Sequence, residues 1–246
     1  MARRTFHGRT LRVKECGRLS GGGGNDQDLL VDRKNEGIPF QPWAKAIYDY
    51  RVKTEQKDDP EGLCLPPSGP LATLNRTASP WEFLQLPEQK RIIRIFEGGG
   101  HMFQIIYMDG RPHPQEAYDL PSWMGHSIGH WDGDTLVVDT VGFNEGQWLS
   151  TSGLPRTNLL HLIERYTRTG PLTMKYEVTI DDPGAYSKQW SNSVTIPFRP
   201  GEALNEYICQ EGERDTRHTS PVRSARRSSG GAKAGLYQGR ASSRAE

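Results

Sequence analysis

From Trp81 onward the chain is punctuated into apolar or alternating runs of five to nine residues, each closed by a turn signal. That rhythm constrains the fold more than any other feature, because such runs have the length of strands and lack the span of an ordinary packed helix. The runs are Trp81–Leu86, Arg91–Phe96, Met102–Met108, His126–Trp131, Thr135–Phe143, Leu160–Arg168, Leu172–Ile180, Ser193–Phe198 and Ala203–Cys209. Among the intervening segments, Asp109-Gly110 and Asp132-Gly133 are strong hairpin signals, since both residue types tolerate the positive φ of a primed turn. Nine strands joined mostly by short turns predict an antiparallel meander. An open sheet of that size would leave two long edges, so the expected fold is mainly β, the meander closing over residues 81–211 into a lipocalin-like barrel.

Two strands differ in their faces. Along Leu172–Ile180 the apolar Leu172, Met174, Tyr176, Val178 and Ile180 alternate with Thr173, Lys175, Glu177 and Thr179, which makes one dry face. In the preceding strand Leu160, Leu162, Glu164 and Tyr166 share one side, and His161, Ile163, Arg165 and Thr167 share the other. Ionisable groups then stand on both faces, where they must be paired or functional.

Residues 25–80 carry Pro39, Pro42, Pro60, Pro66, Pro67 and Pro70 and read as an irregular wrapping arm. One short helix is expected at Pro42–Lys53, where Trp43, Ala46, Ile47 and Tyr50 recur at helical spacing. The net charge of +1 conceals an asymmetry: residues 1–24 hold six Lys/Arg against one Glu, and residues 212–246 hold eight against three acids. Nucleic-acid enzymes set their basic stripe on the folded body. The Gly/Ser/Arg-rich ends therefore read as disordered basic tails, and no nucleic-acid partner is expected. Mean hydropathy is -0.71 and no 18-residue apolar run occurs, so no membrane helix is expected. The N-terminus lacks the apolar core of a secretory signal, which points to the cytoplasm. The three cysteines form no CxxC or zinc spacing.

No Walker loop, dinucleotide fingerprint or HExxH occurs, so neither an organic cofactor nor a resident metal is expected. His126 and His130 share a strand face about 13 Å apart at ~3.3 Å per residue, too far to bind one metal directly. Only convergence of His126 with His113 or His161, completed by Glu164 or Asp139, would leave a metal open. The same residues serve acid–base chemistry without one. A histidine, His113 or His126, oriented by a carboxylate such as Glu164 would titrate near neutral pH and move a proton, with Arg111 or Arg165 stabilising the developing anion. Tyr107, Trp123, Trp131, Asp139, His161 and Trp148 are the expected substrate-binding residues. The plainer alternative makes Glu164 and Arg165 cross-strand ion-pair partners, with Asp109, Asp132 and Asp134 capping turns.

The run Tyr107-Met-Asp-Gly-Arg-Pro-His-Pro114, then Trp123-Met-Gly-His-Ser-Ile-Gly-His-Trp-Asp-Gly-Asp-Thr-Leu-Val-Val-Asp-Thr-Val-Gly-Phe-Asn144, Glu164-Arg165 and Thr179-Ile-Asp-Asp-Pro183 resembles a large family of uncharacterised bacterial proteins. The similarity spans roughly residues 55–211. Members commonly carry an export segment ahead of a Pro-rich arm, and the resemblance brings no catalytic assignment with it. Here both ends depart from that pattern and are basic. Cys64 and Cys209 lie at opposite ends of the family-like region, where an arm returning to the last strand would bring them together. In a reducing cytoplasm both thiols are expected to stay free.

The function expected from these residues is cofactor-free acid–base catalysis, such as isomerisation, cyclisation or elimination, on a small and largely apolar organic substrate in a barrel pocket. A non-catalytic ligand-binding barrel is the alternative, and a purely structural module the third. A homodimer is left open.

Overall fold

The computed structural model describes residues 17–19, 37–74, 80–97 and 102–209. In chain order the elements are β1 (Gly17–Leu19), α1 (Pro42–Lys53), α2 (Pro70–Leu74), β2 (Trp81–Leu86), β3 (Arg91–Phe96), β4 (Phe103–Tyr107), α3 (Glu116–Asp119), β5 (His126–Asp132), β6 (Thr135–Val141), β7 (His161–Gly170), β8 (Thr173–Asp181) and β9 (Trp190–Pro200). Apart from Gly17–Leu19, the segments read as basic tails, 1–24 and 212–246, lie outside the described residues.

Eight of the nine expected strand runs are strands, and α1 has the expected bounds. Pro42 opens that helix, where its missing N–H costs nothing, and Arg51 and Lys53 in the last turn complement the helix dipole. The ninth run is a correction. Ala203–Cys209 is not a strand. Its backbone is held by a side chain, Asn205 N–H donating to Glu97 Oε2 at 2.7 Å, and its end is tied to the arm by a Cys64–Cys209 disulfide.

Without that ninth strand, the eight from β2 to β9 curl into a mixed half-barrel whose two outer strands, β2 and β9, do not pair with each other. Closure within 81–211 is therefore corrected to an open curled sheet. The three-residue β1 pairs with both outer strands, Leu19 opposite Trp81 and Gly17–Leu19 opposite Phe198–Pro200. The pure antiparallel meander is corrected as well, because β4 and β5 run parallel, with Tyr107 opposite Ile128. A parallel step needs a crossover rather than a tight turn. Residues 108–125, with α3 in the middle, supply it, and this crossover carries Arg111 and His113 back across the sheet.

The concave face holds the core. Trp81 and Phe83 of β2 meet Tyr166 of β7 edge-on at 5.6 and 5.2 Å, and Tyr176 of β8 lies 5.1 Å from Tyr166. All five residues of α2 are buried against this face. Among these rings sits a polar knot. Arg94 Nη1 donates to Thr73 Oγ1 at 2.9 Å and to the Tyr166 hydroxyl. Glu164 Oε1 accepts from the hydroxyls of Tyr166 at 2.8 Å, Tyr176 at 2.9 Å and Thr73 at 3.3 Å, and stands 3.7 Å from Arg94 Nη1. Thr73 thus pins α2 into the half-barrel through its bonds to both members of the Arg94–Glu164 ion pair.

Candidate functional site

Alternation along β5, β6 and β7 sends His126, Asp139 and His161 to the face opposite the core. Register then gathers them, since Ile128 lies opposite Asp139 and Asp139 opposite Ile163, which leaves His126 and His161 on the diagonals either side of the carboxylate. The crossover adds His113. Two glycines bring it close. At Gly142 (φ 72°) a Cβ would lie 2.0 Å from the Ala117 carbonyl oxygen, so only glycine lets α3 rest on the end of β6. Gly125 turns the chain into β5 at φ 65°, immediately before His126.

The four side chains form one hydrogen-bonded chain. Asp139 Oδ1 lies 2.7 Å from His161 Nε2 and 3.1 Å from His113 Nε2. His113 Nδ1 lies 2.8 Å from His126 Nδ1. The His113 side chain is 12% exposed, against 33% for Asp139 and 36% for His161. Beyond His126, the Tyr107 ring stacks on the imidazole at a centroid distance of 5.2 Å, and the Arg111 guanidinium sits 4.0 Å from the Tyr107 centroid. Arg111 is itself clamped by Asp109 through Nε at 2.9 Å and Nη2 at 2.6 Å.

The electrostatics differ along the chain. Burial pushes the Asp139 carboxyl up, but hydrogen bonds from His161 and His113 outweigh it and hold the group below its ordinary value. The hydrogen bond to Asp139 raises His161 against the opposing effect of burial. His126 is lowered, first by burial and then by the charges of His113 and Arg111. An ionised Asp139 has no proton to give, so both imidazoles facing it carry hydrogen on Nε2. A neutral His113 then presents a bare Nδ1, which accepts from His126 Nδ1–H. His126 Nε2 is left with its lone pair free.

Five of the residues expected to bind or catalyse thus converge with Tyr107: His113, His126, Asp139, His161 and Arg111. Others do not. Glu164 points to the opposite face of the sheet, into the Arg94 knot, so the carboxylate that orients the histidines is Asp139. Period-two alternation already separated Glu164 from His161, and the signal for Asp139 was its place on the outward face of the neighbouring strand. Arg165 shares the histidine face but pairs with exposed Asp132 at 2.7 Å, away from the cluster. Trp123 packs on Gly146, Trp131 against the core, and Trp148 under the Arg51 guanidinium at 4.3 Å. Among the described residues no group of three or more His, Cys, Asp or Glu side chains could hold a metal ion; His126 bonds to His113, and His113 and His161 bond to Asp139.

The chain matches no family model, no curated protein and no solved structure.

Proposed function

We propose that this chain is a cofactor-free acid–base catalyst of a small organic substrate, with His126 as the group that exchanges the proton. The observation that carries the reading is the line Asp139, His113, His126, with its facing nitrogens at 3.1 and 2.8 Å. When His126 Nε2 takes a proton from a substrate C–H, its Nδ1 proton can pass to His113 Nδ1. The positive charge then rests on the imidazole directly paired with Asp139, where it is stabilised best. Returning the proton to a different atom gives an isomerisation or cyclisation, and loss of a leaving group gives an elimination. The lowered pKa of His126 keeps this base unprotonated at neutral pH. Tyr107 and Arg111 are its flanking residues, and the site lies on the outer face of the sheet because α2 and the aromatic core fill the other.

The half-barrel is read as closed by β1, whose backbone pairs with both outer strands. Membership in the bacterial family with the DGRPHP motif is read from residues 107–144, which supply every member of the cluster except His161. The Cys64–Cys209 disulfide favours an oxidising compartment over the cytoplasm.

The test is deuterium incorporation. Ketones, β-keto esters and β,γ-unsaturated acids with their esters are incubated with the protein in D2O, and C–H exchange is followed by NMR. The expected result is exchange in at least one class, reduced about 10²–10⁴-fold in a folded His126→Gln variant, as for loss of a general base. Exchange equal in both proteins, or in neither, contradicts the reading.

A further inference from the structure

The face that carries His126 continues along β3 and β4 with a composition the proton relay does not use. Register places Arg91 opposite Tyr107, Ile93 opposite Ile105 and Ile95 opposite Phe103, all facing away from the core. Ile93, Ile105 and Ile128 are part-exposed and Phe103 is 57% exposed, so an apolar strip runs from the edge of His126 outward along two strands. The end of that strip nearest the histidine is cationic. The Arg91 guanidinium lies 5.4 Å from the Tyr107 centroid, on the same ring that stacks against His126. Lys90 is exposed at φ 49°, its carbonyl accepting from Met108 N–H at 2.8 Å, which fixes it beside the start of the crossover. Arg111 stands over Tyr107 as well.

These cations are unequally balanced. Asp109 takes the Nε and Nη2 edge of Arg111, leaving Nη1 outside the fork. Arg91 and Lys90 have no ion-pair partner among the described residues, and Glu88 on the preceding turn bonds to neither. An arginine laid against an aromatic ring beside a neutral base, with no carboxylate of its own, is placed to receive one. The apolar strip beyond it excludes a bare inorganic anion as the preferred occupant, because three isoleucines give such an ion nothing to bury.

We propose that this site takes a small organic carboxylate with an apolar body, its carboxylate on Arg91 with Lys90 and Arg111 Nη1 in support, and its body along Ile93, Ile105 and Ile128. This rests on the acid–base reading and names its substrate class. The carboxylate end lies at Tyr107, so the carbons next to it are the ones that reach His126.

The experiment uses 4-phenylbut-3-enoate and its methyl ester as probes, with the full-length chain. Binding is followed by ligand-observed NMR, and C–H exchange in D2O is read in the same samples. The expected result is binding of the acid at least tenfold tighter than of the ester, weakened at least tenfold by Arg91→Met and by raised salt, and retained by His126→Gln. Arg91→Lys, which keeps the charge, checks that a loss comes from the charge rather than the fold, and should restore part of the affinity. Equal binding of acid and ester, no binding of the acid, or Arg91→Met leaving the affinity unchanged overturns the proposal. Exchange of the ester or of ketones that depends on His126, without preference for the acid, overturns the substrate class while the base assignment stands. Acid binding that depends on Arg91 with no exchange in any probe or ketone upholds the binding site and overturns the catalytic reading.

Discussion

His113 Nδ1 and His126 Nδ1 face each other at 2.8 Å, so one ring nitrogen must hold a proton and the other must not. Two such nitrogens both bearing hydrogen would clash, and both bare would repel. Asp139 breaks the symmetry, because it claims the far nitrogen of His113 as a donor. The backbone distance that makes this contact is not local in sequence: a crossover residue meets one on β5 only because β4 and β5 run parallel.

Replacing Asp139 with Asn keeps an oxygen acceptor of the same size and removes the charge. The His161 midpoint should fall from its raised value toward 6.5, since the bond to Asp139 is the largest cause of its rise. NMR titration of the His161 ring protons reads this directly. An unchanged midpoint would mean that the carboxylate does not set the charge of this cluster.

The same pair sets a pH window for stability. His161 has a raised folded pKa, so its contribution is whole below about 6.5 and is lost as pH rises through the folded value. Asp139 has a lowered one, so its contribution is whole above 3.8 and is lost as pH falls through the folded value. The stability gap between the native chain and Asp139→Asn should therefore be larger at pH 5.5 than at pH 9. Partial exposure of both side chains limits the change to about 0.5–1 kcal/mol. Urea unfolding at the two pH values measures it, and a gap that grows with pH contradicts the assignment.

On the concave side, Glu164→Gln or Arg94→Met alone should cost about 3–5 kcal/mol, because each leaves an uncompensated charge among buried rings. Replacing both should recover much of that loss. Neither change should alter the titration of His161, since the knot and the histidine cluster lie on opposite faces of β7. Thermal melts and the same NMR titration separate the two sites, and a shifted His161 midpoint would show them coupled.

Much of this was legible in the sequence. Strand positions followed from runs and turn signals, with β2 and β3 matching residue for residue, because short apolar runs between turn residues have few other uses. The opposed faces of β7 followed from alternation, so Glu164 was separable from His161 before any pairing was known. Pairing itself was not legible. Nothing local says that β4 and β5 run parallel, so the meeting of His113 with His126 was an expectation without a mechanism, and Glu164 stood in for Asp139. Ala203–Cys209 has a strand's length, yet a disulfide and a side-chain bond to Glu97 hold it in place of a ladder. The three residues of β1, between Gly-rich and basic neighbours, carry too little pattern to read as a strand.

Thiol counting tests the link between arm and C-terminal segment. With three cysteines and a Cys64–Cys209 bridge, protein purified without reductant and then denatured should titrate one thiol. The bridge joins residues 145 apart, which is worth about 5 kcal/mol in the chain-entropy account, so reduction should lower the melting temperature markedly. Three thiols and an unchanged melt would return the chain to the free-thiol expectation.

To act as the base, His126 must hold its proton on Nδ1 and keep Nε2 free. Long-range ¹H–¹⁵N correlation spectra of the histidine rings, assigned with single His→Gln variants and recorded near pH 8, report that tautomer without any knowledge of the substrate. Hydrogen is expected on Nε2 in His113 and His161 and on Nδ1 in His126. Hydrogen on Nε2 of His126, with its Nδ1 accepting from His113, would contradict this.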